Sequence, residues 1–341
     1  MSNDITGNYF THSFSKEEAT RLLESLAAKL GFIPEREIFC GKIYDADKVG
    51  SLIYAGTWQG KRAVLKLQIL ELPVAEQNIL RSVADVLKGT DLRVPEVYAA
   101  EAWDREKGYG YVVFEEVQGQ KIYRPPFATA EEQGDFCQLY ETLHGAKPTP
   151  LVPQAPLETN GATFTLRRML HWMQIGEGYA PLTSEVVEQM GRFTAQAAPL
   201  LHGTPMRYMH GHLSMDDILR REEGGWVVMS NLFWSYRPMY YDATFHLWAG
   251  IKASRDLSLT LETVVAYLED WCAAYATLPG IAEDPLFRPR FWVMMAERSL
   301  SAQMIDIFAQ TYQEKREEHI AHLRGVFAGI FDWSLAQLQN T

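Results

Sequence analysis

The sequence predicts an α+β chain in two parts: a small antiparallel β-sheet within the first third, then a larger, mostly helical remainder. Three observations carry this. Between about Cys40 and Glu115, short apolar and β-branched runs alternate with Gly-containing turns, as in a meander of strands. From Glu131 onward, apolar residues recur at helical spacing over long stretches. One hairpin, from Tyr208 to Met229, interrupts the helical part.

The 341 residues are 47% hydrophobic, enough for one large core or two lobes of ordinary size. No apolar run approaches the roughly 18 residues of a membrane span, and the N-terminus lacks a signal peptide's basic-then-apolar order. No membrane partner is expected. Cys40, Cys137 and Cys272 lie far apart, which suggests neither a disulfide scaffold nor a zinc site; the expected compartment is the reducing cytoplasm. The net charge of −11 argues against a nucleic-acid partner.

Taken in order, the chain opens with polar residues and then a capping box, Ser15-Lys16-Glu17-Glu18. Leu22, Leu23, Leu26 and Leu30 follow at helical spacing and Gly31 can end the helix, giving an N-terminal helical extension over residues 1–36 that is expected to pack on the body of the protein, with partner binding as the alternative. Residues 37–116 are expected to hold the sheet. Val49–Trp58 reads as two strands joined by a small-residue loop, and Gln59-Gly60 turns the chain into Arg62–Leu67. Lys66 inside that apolar strand needs a partner, and Glu76, in a helix starting near Pro73, is the natural one; an edge-strand lysine reaching for water is the alternative. Leu92–Tyr98 and Gly110–Glu115 complete a five-stranded sheet.

Residues 117–341 read as helical. Glu131–His144 precedes a Pro-rich connection, Lys147–Pro156, and helices follow over Thr163–Gln174 and Ser184–Leu201. Beyond the hairpin, amphipathic helices are expected over Leu261–Ala276, Pro289–Thr311 and Glu314–Leu338. Trp248, Trp271, Tyr275 and Trp292 read as core, with an aromatic pocket for a cationic ligand as the alternative.

The hairpin carries the chemistry. It reads His210-Gly211-His212, then Asp217-Ile218-Leu219, a charged turn at Arg221–Gly225, the strand Trp226–Met229 and Ser230, with Tyr241-Asp242 beyond. Together with Lys66 and Glu76 upstream, this set resembles the aminoglycoside phosphotransferase and choline-kinase-like family over about residues 40 to 250. The resemblance implies a bilobal protein-kinase-like fold, with an inter-lobe hinge at Phe114–Gly119. It implies ATP as the nucleotide: Lys66, positioned by Glu76, on the phosphates; Gly50 and Gly56, with Lys48 nearby, in a glycine loop, Gly50 reading equally well as a tight-turn residue; Glu115 and Val117 along the adenine edge; and Val113 and Phe114 lining the apolar slot. It further implies that His210 and Asp242 brace the catalytic loop and that His144 is a packing residue.

The reactive positions depart from the family pattern. His212 stands at the catalytic Asp, Asp217 at the metal-binding Asn, and Ser230 at the metal-holding Asp. Mg²⁺ wants hard oxygen ligands, so a hydroxyl in place of the second Asp is expected to weaken its binding. Three functions remain open. One is a pseudokinase that binds a nucleotide, small molecule or protein partner. The second is an active ATP-dependent phosphotransferase acting on a small-molecule hydroxyl, with His212 as base and Asp217 as metal ligand. The third is nucleotidyl transfer in the same cleft. The first is favoured because both Asp positions are lost together. A transition-metal site at His210, His212, Asp216 and Asp217 is a further alternative, against which His210 reads as a loop brace and Asp216 as solvent-facing.

Overall fold

The computed structural model describes residues 14–41, 49–71, 74–122, 128–151, 160–176, 182–308 and 317–339. In chain order, α1 (Lys16–Leu30) leads into β1 (Phe32–Gly41), β2 (Ser51–Trp58), β3 (Lys61–Gln68) and α2 (Glu76–Leu87). Next come β4 (Leu92–Arg93), β5 (Val97–Asp104), β6 (Tyr109–Glu115) and β7 (Gln120–Lys121). Then follow α3 (Ala130–Gly145), α4 (Gly161–Gly176), α5 (Ser184–Gln196), α6 (Ala198–His202) and β8 (Met206–Met209). The reactive loop leads to β9 (Ile218–Arg220), β10 (Trp226–Val228) and β11 (Ser235–Pro238). The chain closes with α7 (Tyr241–Ala253), α8 (Leu261–Ala276), α9 (Pro279–Ala282), α10 (Phe287–Met304) and α11 (Glu317–Gln339).

The chain divides into two compact units, residues 1–120 with 221–232, and residues 121–220 with 233–341. In the first, β1-β2-β3-β6-β5 form an antiparallel sheet. The β2–β3 hairpin turns through Gln59 and Gly60, both at positive φ (50° and 78°), a twist that matches the strands it joins. Helix α1 carries the expected capping box at Ser15 and Glu18 and a left-handed Gly31 at its end. Its buried face, Ala19, Leu23, Leu26 and Ala27, packs with Phe32, Leu52, Leu65 and Leu67 in one apolar cluster. Full burial of each such Leu contributes about 1.5–3 kcal/mol, so the helix packs on the body of this unit, as expected.

Three expectations about the sheet change. Val49–Trp58 holds one strand, not two. Gly56 marks no turn: a Cβ there would lie 2.1 Å from the Ile33 carbonyl oxygen, so the glycine serves close approach to β1. Strand β1 starts at Phe32, directly after α1, and the β1–β2 connection therefore falls at residues 42–50, where Lys48 lies outside the described residues. Finally, Leu92–Arg93 does not join the five-stranded sheet but pairs in parallel with Trp226–Val227. Pro73 is also outside the described residues, and α2 begins at Glu76.

In the second unit, α10 is the central helix. It is buried along almost its whole length and touches α4, α5, α6, α7, α8 and α11. A helix covered on all sides turns no face to solvent, which is why the amphipathic expectation fails there. The helix expected over Ser184–Leu201 breaks at Ala197, and Pro199 sits in the first turn of α6, where its missing N–H costs nothing. Trp248, Trp271, Tyr275 and Trp292 are all buried, as core residues. Among the described residues, no helix is long and apolar enough to cross a membrane.

Candidate active site

In the first unit, Lys66 on β3 and Glu76 at the start of α2 meet at 2.6 Å, both side chains 5% exposed. Alternation along β3 sends Leu65 and Leu67 into the α1 cluster, and Lys66 to the other face, where α2 supplies the carboxylate. An unpaired ammonium there would be strongly penalised, so the pair is obligatory. On β6, Phe114 packs with Val64 and Val112, joined by the partly buried Ile53, Val97 and Met229. Val113, expected beside Phe114, belongs to the α1 cluster on the opposite face.

The other first-unit residues divide sharply. The Glu115 carboxylate is gripped by Arg93 through contacts of 2.5 and 2.7 Å. Burial alone would raise its pKa, but Arg93 holds it below the usual range. The Glu115 N–H donates to Glu96 O and that of Glu116 to Arg62 O, so Val117 lies just past the sheet's ladder. Gly50 is spent in the entry to β2: its N–H donates to Gly41 O and its carbonyl accepts from Ile69 and Leu70. That amide is not offered to a phosphate. Ser230 follows β10 at φ 55°, a left-handed conformation that is strained for a serine. Asn231 beside it is buried and donates to Val228 O at 2.8 Å, tied to its own backbone turn.

In the second unit, the loop after β8 is pinned from behind. Gly211 adopts φ 73°, and its N–H donates to Asp242 Oδ1 at 2.9 Å from the first turn of α7. Burial pushes the Asp242 carboxyl up to about 7, against the pull of the Gly211 and Leu213 N–H groups and Arg237. His210 is fully buried, edge-on to Trp234. Asp242 thus holds the loop backbone, the role the resemblance implied for it.

His212 and Asp217 form a pair of their own. His212 Nδ1 lies 3.1 Å from Asp217 Oδ2, and the same oxygen accepts from Ser214 Oγ at 2.8 Å and Ser214 N at 3.3 Å. Asp217 is buried, whereas the imidazole is 39% exposed, stacked on Phe233 at 4.2 Å and tilted against Phe245 at 4.7 Å. Asp216 is exposed and paired with Lys121, and His210 faces the core, so the four residues of the imagined transition-metal site do not converge. Among the described residues, no three His, Cys, Asp or Glu side chains are grouped to hold a metal ion. Ser214 and the two phenylalanines were missed at the sequence level; the Ser-x-x-Asp spacing of Ser214 and Asp217 was the available signal.

A second buried network also went unforeseen. Glu297 on α10 is ion-paired with Arg298 at 2.6 Å and with Arg168 of α4 at 3.1 Å. Burial would raise the Glu297 carboxyl, but the two guanidinium groups hold it below its ordinary value. Both arginines lie over the Tyr241 and Trp172 rings, and Arg298 also over Trp248.

Solved structures with this architecture share little sequence with the chain. Aminoglycoside phosphotransferase APH(4)-Ia is 13% identical with a TM-score of 0.61, over 94% of this chain and 99% of that one. A thermostable mutant of the same enzyme, in ternary complex with ADP and hygromycin B, gives 12% and 0.60 over 92% and 97%. A choline/ethanolamine kinase family protein from Mesorhizobium loti gives 15% and 0.57 over 94% and 100%. A search of curated protein sequences finds no significant match. These likenesses establish the protein-kinase-like α+β fold. The phosphotransferase enzyme family model matches residues 51–283, about two thirds of the sequence, and the chain belongs to that family.

Proposed function

We propose that this protein is a nucleotide-binding pseudokinase of the phosphotransferase family, one that has given up magnesium-dependent phosphoryl transfer. The observation that carries this is the state of Asp217. At the position where the family pattern has a metal-binding Asn, its Oδ2 serves Ser214 and His212. The other metal position holds the Ser230 hydroxyl, with only the neutral amide of Asn231 beside it in sequence, its Nδ2 donating to Val228 O. With a hydroxyl at one position and a carboxylate engaged through Oδ2 at the other, the pair is a poorer match to a hard octahedral cation than the acidic and amide ligands of the family pattern.

The nucleotide side is intact by comparison. Lys66, held by Glu76, is a cation suited to phosphate oxygens. Val64, Phe114, Ile53 and Met229 provide an apolar surface suited to a purine face, and the backbone of Glu115 and Val117 the edge beside it. The relative solved with ADP lends support to ATP as the ligand here.

The test is turnover beside binding. ATP is expected to bind, with affinity lost in Lys66→Met, while no phosphate is released or transferred at kinase rates of about 1–100 per second. Turnover in that range would end the proposal.

One observation favours a second reading. If Asp217 accepts the Nδ1 proton of His212, the Nε2 atom is left as an acceptor, the tautomer of a general base for a substrate hydroxyl. An active phosphotransferase would then lose product formation in His212→Ala while staying folded. Undiminished turnover in that variant removes the role.

A further inference from the structure

We propose that the second unit carries a separate binding site for a small organic anion with a flat apolar body, in a cavity walled by His210 and Asp242. The cavity measures about 470 Å³, within the range of small-molecule sites. Its apolar walls are aromatic: Tyr140 from α3, Tyr208 from β8, and Trp234 and Tyr236 at β11. Tyr208 meets Trp234 at 5.8 Å and Tyr236 at 5.6 Å, so the rings brace one another and present a preformed surface. Rigid rings of this kind bind flat ligands at little cost in side-chain entropy.

Charge fixes the ligand class. Arg207 and Lys147 line the cavity, and among the described residues no carboxylate pairs with either. The bond that Arg207 makes is to His144 Nε2 at 2.9 Å. His144 adds no charge of its own: burial, then Arg207 and Lys147, push its pKa down to about 4. The one carboxylate in the wall, Asp242, is occupied by the Gly211 and Leu213 N–H groups. Two cations that no described carboxylate pairs with, beside aromatic walls, suit a carboxylate or phosphate ester, which a guanidinium can grip through two parallel bonds. The cavity lies within one unit and needs none of the nucleotide residues, so this inference stands apart from the proposed function.

The experiment titrates the full-length protein with benzoate and with phenyl phosphate, followed by ligand-observed NMR and calorimetry. Benzamide serves as the uncharged control. We expect at least one anion to bind, with preference between the two reporting which oxyanion the site takes, and benzamide to bind far more weakly. Arg207→Gln should weaken binding about tenfold or more, since a charge-assisted bond is lost. Lys147→Gln, an exposed position that leaves the fold undisturbed, should weaken it a few-fold. The site is overturned if neither anion binds at millimolar concentration, if benzamide binds as well as benzoate, or if both variants bind like the unmodified protein.

Discussion

Lys66 and Glu76 meet at 2.6 Å with both side chains withdrawn from water, whereas His212 and Asp217 meet at 3.1 Å with the imidazole partly in reach of solvent. The first pair is a full ion pair that its surroundings make compulsory, because either charge alone would be stranded. The second joins a carboxylate to an imidazole, and the same carboxylate also serves the loop's own turn through Ser214. The first pair has the form that the proposed phosphate binding requires. The second, at the positions the resemblance gives to a base and a metal ligand, is an internal hydrogen-bond network. On the proposed reading, the family frame keeps its nucleotide-side residues while its reactive residues take up structural work.

The largest effect should come from breaking the first pair. Lys66→Ala is expected to cost about 3–5 kcal/mol in urea unfolding, and Lys66→Met with Glu76→Leu together much less, because no charge is then stranded. A cost below about 1 kcal/mol for the single variant would mean the pair is not the buried unit described. In the second pair, Asp217→Ala leaves three donors without their acceptor and should cost about 1–3 kcal/mol. Stability unchanged by that variant would dissolve the contrast between the two regions.

Acid should separate them further. His144 is held at about 4 in the fold against 6.5 in the free side chain, so the unfolded chain takes up its proton first and stability falls as pH drops from about 6.5 to about 4. Allowing for partial exposure, this amounts to about 1–2 kcal/mol. His144→Gln, which keeps an acceptor for Arg207, should lose that portion of the acid sensitivity in thermal melts at pH 7 and pH 4.5; a parallel pH profile would contradict it. Asp242 has the opposite sign, its raised pKa lowering stability as pH rises from about 4 to about 7. The smallest effect is at Ser230. Asp tolerates a left-handed backbone better than Ser, so Ser230→Asp should be neutral, or stabilising by up to about 1 kcal/mol. A clear loss of stability would show that the strand end cannot readmit a carboxylate.

Local signals in the sequence were reliable where the physics is local. The Ser15 capping box, the Gln59-Gly60 turn and the boundaries of α8 follow from a few neighbouring residues. Lys66 was legible because a charge inside an apolar strand demands a partner, and Asp242 through the resemblance. What stayed hidden depends on partners distant in the chain. Gly56 reads as a loop glycine until β1 is seen pressed against it, and Leu92–Arg93 finds its partner at Trp226. Arg168 and Glu297 are brought together only by the packing of α4 on α10. The capture of Asp217 was half visible: Ser214 stood three residues away, but the reach of His212 needed the bend that Gly211 and Asp242 impose.

The most direct test of the central claim is calorimetric titration of ATP into the protein with Mg²⁺ and again with the metal chelated. Beside it runs the variant combining His212→Asp, Asp217→Asn and Ser230→Asp; the Asn is included because His212→Asp alone would set two carboxylates against each other. The account predicts the same ATP affinity with and without Mg²⁺ for the unmodified protein, and metal-dependent binding only in the triple variant. ATP binding that already requires Mg²⁺ in the unmodified protein would contradict it, because Asp217 would then be a working metal ligand rather than the keystone of its own loop.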